Sequence, residues 1–140
     1  MREGGSRVPL IANWPGVAPE GKVLKDLVDF SDMYATFAEL AGAKLPTELP
    51  IDGNSYAPQL RGEAGKPREW VYVQLGAKWY VRSTRWKLTG DGELFDLSDA
   101  PFAEKLVERD TKDAEAIAGR EKLQKALDTL KPGAGKSDEP

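Results

Sequence analysis

Two hydrophobic periods run along this chain of 140 residues, one helical and one extended, and they occupy different stretches. Phe30, Met33, Tyr34, Phe37, Leu40 and Ala41 recur at i, i+3, i+4, i+7, i+10 and i+11, one face of a helix packed into a core. Asp29 or Ser31 suits the N-cap, Asp32 suits the positive end of the helix dipole, and Gly42 supplies the stop. Before this helix, residues 8–12 form an apolar run that ends at Trp14-Pro15-Gly16, which predicts a buried strand and a turn. Residues 15–22 are rich in turn formers, and residues 23–28 are a short, mostly apolar connector.

After a loop over residues 43–54, a short turn or helix over 55–61 and a polar connector over 63–68, the period becomes two. Residues 70–75, 78–82, 85–88 and 93–97 are rich in aromatic and β-branched side chains, with turn formers between them. This spacing predicts a four-stranded antiparallel meander, with Asp91-Gly92 as one hairpin turn. Alternation puts Trp79 with Val81 and Trp86 with Leu88 on one face and leaves Arg82, Arg85 and Lys87 pointing to water. A second helix is predicted over 111–131, capped by Thr111 and ended by Pro132-Gly133. Its stripe is Ala114, Ile117, Leu123, Ala126, Leu127 and Leu130. Residues 132–140 read as a disordered tail.

Composition narrows the chemistry. An apolar share of 40% is enough for a core, and a net charge of −3 lacks the basic footprint of a nucleic-acid binder. No apolar run approaches the roughly 20 residues that cross a bilayer, so no membrane partner is expected. No apolar leader follows Met1-Arg2, which leaves localisation undetermined. With no Cys and no His, thiolate sites and the commonest general base near neutral pH are both missing.

The run from Glu3-Gly4-Gly5-Ser6-Arg7 through Val8-Pro9-Leu10-Ile11-Ala12 to Trp14-Pro15-Gly16 resembles a stretch of type I, arylsulfatase-like sulfatases. In that family it follows the metal-binding Asp-Asn pair and a sulfate-contacting lysine. Residues 27–42 are similar to the family's helix, with Ala35 where proline is usual. Asp52-Gly53-Asn54-Ser55 with Leu60-Arg61-Gly62 resembles its Asp-Gly-x-Ser…Leu-Leu-x-Gly element. Residues 79–82, Arg85-Trp86-Lys87-Leu88 and Glu93-Leu94-Phe95-Asp96-Leu97 resemble its last strands. Five weak pieces in the right order carry the resemblance from residue 3 to about 107.

The resemblance implies an α/β fold (α+β for this stretch alone): the end of an alkaline-phosphatase-like central sheet, then a four-stranded antiparallel meander with a packed helix. On that reading residues 1–62 close the catalytic α/β domain, 63–131 form the C-terminal subdomain, and 132–140 are the tail. It also implies sulfate-ester hydrolysis by a formylglycine beside a divalent cation, usually calcium, in proteins that are often periplasmic or secreted. Formylglycine arises from Cys or Ser followed by x-Pro-x-Arg. None of Ser6, Ser31, Ser55, Ser83, Ser98 or Ser137 has that context, and no Asp-Asp or Asp-Asn-Gly occurs. No residue here is therefore assigned as catalytic or as a metal ligand, and the chain alone is expected to be inactive. The expected partners are an N-terminal catalytic portion and, for the whole enzyme, a sulfated carbohydrate or aryl sulfate.

Glu3 and Arg7 are candidates to brace the active-site loop from behind, or only to orient its backbone. Trp79 and Arg82 are candidates to face substrate, alongside the plainer uses of sheet packing and a solvated strand face. Asp91, Glu93 and Asp96 carry no specific signal for acid–base work. The alternative reading is a stand-alone module that holds a glycan or protein partner on the aromatic meander.

Overall fold

Backbone hydrogen bonds build five strands and three α-helices within residues 3–130, the part that the computed structural model describes. The tail expected over 132–140 lies outside the described residues. Two units are distinct. One joins the described residues up to Val8 with those from Trp70 onward, and the other is Pro9–Glu69.

In the first unit β1 (Val71–Leu75), β2 (Lys78–Arg82), β3 (Trp86–Thr89), β4 (Leu94–Asp96) and β5 (Lys105–Val107) pair antiparallel in chain order. The meander is the predicted one with a strand added. Four strands were expected, and the fifth, Lys105–Val107, is too short for alternation to stand out from its charged neighbours. Gly76 and Gly92 make the tight hairpin turns at φ 57° and 76°, a region open mainly to glycine.

Register sets the faces. Val81 lies opposite Leu88, Leu88 opposite Leu94, and Leu94 opposite Val107. This row packs against α3 (Ala114–Leu130), where Val81, Trp86, Leu88 and Leu94 enclose Ala116, Leu123, Ala126 and Leu127. Burial of each large side chain contributes about 1.5–3 kcal/mol. The helix begins at Ala114, later than expected, because Asp113 Oδ1 accepts from the Glu115 N–H at 3.0 Å while Thr111 serves the preceding turn. Ile117 and Leu130, expected in the stripe, stay exposed at its margins.

Gly119 shows how closely helix and sheet approach. A Cβ there would lie 2.4 Å from Cδ1 of Trp86, a ring fixed in the core. Gly119→Ala gains up to about 1 kcal/mol of helix propensity and incurs about 1–3 kcal/mol of overpacking. Urea unfolding is expected to show net destabilisation, whereas an exposed helix glycine would show a gain.

The second unit contains α1 (Asp32–Leu40) and the single-turn α2 (Ala57–Leu60). Helix α1 ends as predicted at Gly42, φ 66°. The Ala43 N–H reaches the Ala38 carbonyl at 2.8 Å and the Gly42 N–H reaches that of Glu39 at 3.1 Å, which closes the last turn. The expectation that this helix packs its apolar stripe into a core is corrected. Phe30 is 84% exposed and Phe37 61%, and Tyr34 is exposed too, while Asp32, Ala35 and Thr36 are buried. Polar contacts anchor the opposite face and turn the stripe outward.

The strand expected over residues 8–12 is also corrected. Those residues are irregular, and Ile11 is 87% exposed. A strand exists through hydrogen bonds to a neighbouring strand, and among the described residues none pairs with this run.

Candidate functional site

The sheet face turned away from α3 carries the unusual chemistry. Alternation along β2, β3 and β4 brings Tyr80, Arg82, Lys87, Thr89 and Phe95 to it, with Arg82 opposite Lys87 and Lys87 opposite Phe95. The expectation that Lys87 points to water is corrected: it is 1% exposed. Its ammonium pairs with the Glu104 carboxylate and sits 4.6 Å from the Phe95 ring centroid and 5.4 Å from that of Tyr80. The rings' negative faces and the carboxylate replace the water that the ammonium loses.

Beside this pair opens a cleft of about 720 Å³ whose walls include Gly4, Lys78, Trp79, Lys87, Phe95 and Glu104. The short 3₁₀ turn Glu3–Gly5 reaches it, and the hydroxyls of Ser6 and Tyr80 are hydrogen-bonded to one another. Gly4 and Gly5 have open space where a Cβ would stand, so among the described residues no group requires glycine there. No serine in the chain has a histidine to activate it, because the sequence contains none.

The sequence-derived candidates fall in different places. The Glu3 side chain lies outside the described residues, and Arg7 is exposed. Trp79 packs with Tyr72 on the α3 side, centroids 6.1 Å apart and planes tilted by 36°, with the Gly90 backbone against its ring. Arg82, on the opposite face, donates to the Ser83 and Thr84 carbonyls at 2.9 and 3.0 Å and so ties down its own turn. The structure therefore does not bring Trp79 and Arg82 together.

Nor do Arg82, Arg85 and Lys87 form an anion site. Arg85 donates to Asp96 at 3.0 Å, pairs with Glu115 and lies 4.5 Å from the Trp86 ring centroid. Burial pushes the Asp96 carboxyl upward. Bonds from Arg85 and Ser98 outweigh that and hold it below the ordinary carboxylate value. Among the described residues no three Asp or Glu side chains gather to hold a metal ion. Among the described residues the donor set does not fit the calcium that the resemblance implies.

In the second unit the organising group is Asp32, which sequence reasoning placed only at a helix dipole. Arg68 Nε donates to both of its carboxylate oxygens at 2.8 Å, and Nη2 reaches Oδ1 at 2.6 Å. The N–H groups of Asn54 and Asp29 add bonds of 2.7 and 2.8 Å. Arg68 also donates to the Asp52 carbonyl at 2.7 Å, while Thr36 donates to the Asp32 carbonyl and accepts from the Tyr56 N–H. The loop resembling Asp-Gly-x-Ser is thus strapped to α1, and at Gly53 a Cβ would strike the Ser31 carbonyl oxygen at 2.1 Å.

Burial is the largest influence on Asp32 and raises its pKa, but Arg68 and the two backbone donors together lower it below the ordinary 3.8. A depressed folded-state value contributes stability that is complete above the unfolded pKa and lost as pH falls through the folded one. Stability of the second unit is expected to decline below about pH 4. Asp32→Asn should flatten that decline in denaturant titrations run at successive pH values.

An antiparallel meander carrying one C-terminal helix, preceded by the Glu-Gly-Gly stretch, is the arrangement that the resemblance to a sulfatase C-terminal region implies. Residues 1–132 match the family model for N-sulphoglucosamine sulphohydrolase, C-terminal, and the chain belongs to this sulfatase family. Arylsulfatase D of Homo sapiens is 35% identical over 94 residues, 66% of this chain and 16% of that protein. Steryl-sulfatase of Mus musculus is 38% identical over 85 residues, 60% of this chain and 13% of that protein. Among solved structures, a 2-O GAG sulfatase superposes with a TM-score of 0.66 at 29% identity, covering 84% of this chain and 29% of that one. The chain thus spans less than a third of the length of each of these proteins.

Proposed function

We propose that this chain is the C-terminal supporting part of a sulfate-ester hydrolase and that the reacting groups reside on other polypeptide. What carries the reading is the combination of a family match through residues 1–132 with a sequence that has no Cys, no His and no Ser-x-Pro-x-Arg. The whole enzyme hydrolyses a sulfate ester of a carbohydrate or an aryl alcohol, using a formylglycine and a divalent cation supplied by the catalytic portion. The role of this chain is to add the α1 layer and the C-terminal sheet.

The test is to replace the superposed 29% of the 2-O GAG sulfatase with this chain. Aryl sulfate turnover is then assayed in the presence of calcium. The chimera is expected to turn over substrate and the same sulfatase simply lacking that stretch is not. A chimera as inert as the truncated protein would contradict the reading.

A further inference from the structure

The Glu3–Gly5 turn has little packing of its own. It is a single 3₁₀ turn, and apart from chain neighbours no described group lies within 4 Å of where a Cβ on Gly4 or Gly5 would stand. Paired glycines also carry the largest backbone entropy to be overcome on ordering. One residue later the segment meets a rigid support. The Ser6 hydroxyl is hydrogen-bonded to the Tyr80 hydroxyl, 74 positions away in sequence. Tyr80 is 1% exposed and lies on β2, which pairs with β1 on one side and β3 on the other. The Lys87 ammonium, itself paired with Glu104, lies 5.4 Å from its ring centroid. Both hydroxyls belong to the first unit, although the whole second unit, Pro9–Glu69, intervenes in sequence.

From this arrangement we infer that Tyr80 is a positioning residue for the sulfatase reaction: through Ser6 it fixes the Glu3–Gly5 turn on the sheet and so sets where the catalytic portion joins that sheet. This inference rests on the function proposed above, under which the reacting groups lie on other polypeptide. The family model matched over residues 1–132 is a C-terminal one, so in that enzyme the catalytic portion enters just ahead of Glu3. A glycine pair transmits position poorly unless one end is held, and a misplacement of about 1 Å far from the reacting atoms can lower turnover about a hundredfold. Gly4 also lines the cleft beside Lys87, Phe95 and Glu104, so the same bond sets one wall of that cleft. Tyr80 itself touches no reacting atom and acts through Ser6.

Either hydroxyl can donate, so Tyr80→Phe or Ser6→Ala removes the bond and Ser6→Thr keeps it. The test makes these variants in the 140-residue chain and in the chimera described above. In the chain, backbone order parameters from ¹⁵N relaxation at Gly4, Gly5 and Ser6 should fall from about 0.85 to below about 0.6 in Tyr80→Phe and Ser6→Ala, with β3 and β4 unchanged. In the chimera each of these two substitutions should lower kcat for the aryl sulfate about two- to tenfold, the range of one net hydrogen bond, with KM moving less than about twofold. Ser6→Thr should stay near the unsubstituted values. Tyr80→Phe combined with Ser6→Ala should lose no more than either alone, because the same bond is removed once. Unchanged order parameters would show that Tyr80 does not hold the turn and overturn the inference. If the chimera is active and kcat survives both substitutions, or if the two losses add, the inference is overturned although the proposed function stands. An inert unsubstituted chimera contradicts the proposed function, and the inference falls with it.

Discussion

Asp32→Ala is expected to destabilise the second unit by about 3–5 kcal/mol, the cost of removing one member of a buried ion pair and leaving the other uncompensated. The carboxylate accepts from Arg68 and from the backbone N–H groups of Asp29 and Asn54, so several donors lose their acceptor together. Urea unfolding measures the loss. Hydrogen exchange should locate it, with faster exchange at Asn54 and Tyr56 and little change in strands β2 and β3. A loss under about 1 kcal/mol, the size typical of an exposed pair, would show that the pair is not what holds the loop to α1.

Glu104→Gln should be comparably costly in the first unit, about 3–5 kcal/mol, because it leaves the Lys87 ammonium charged in a site that is 1% exposed. The contrasting variant replaces both partners, Lys87→Met with Glu104→Leu. It is expected to fall within about 1 kcal/mol of wild type or above it, since apolar groups of similar volume suit the space between Phe95 and Tyr80. Both are measured by denaturant unfolding. If the double variant is as unstable as the single one, the site depends on the ion pair itself and not on the avoidance of an unpaired charge.

How legible the fold was in the sequence depended on whether each signal was local. Strands β1 to β4 were legible because hairpin partners are neighbours in the chain, and Gly76 and Gly92 sit where tight turns need them. Helix α3 was legible for the same reason, its stripe being long and the sheet that it covers lying just upstream. Helix α1 existed as read, yet its stripe faces out. A hydrophobic period says that a face is to be covered without saying by what. The run over residues 8–12 had the composition of a strand and no partner among the described residues, and pairing decides a strand.

Less of the site could be read. Asp32 and Arg68 lie 36 positions apart and share no motif spacing, so nothing local announces their pairing. Lys87 sat where alternation puts solvent, between Trp86 and Leu88, and the Tyr80 and Phe95 rings together with the return of the chain at Glu104 cover it. Trp79 and Arg82 differ by an odd number of positions in one strand, so the pleat separates them. That parity was readable from the sequence. The family, by contrast, was visible in five ordered fragments, because each is a local run of residues in the chain.

The central claim is that the groups which attack and hold a sulfuryl ester are not among these 140 residues. The most direct measurement is aryl sulfate hydrolysis by the purified chain alone with added calcium. The account predicts release of the alcohol at the rate of a protein-free blank. Turnover well above that blank, abolished by substituting a single Ser or Asp of this chain, would contradict it.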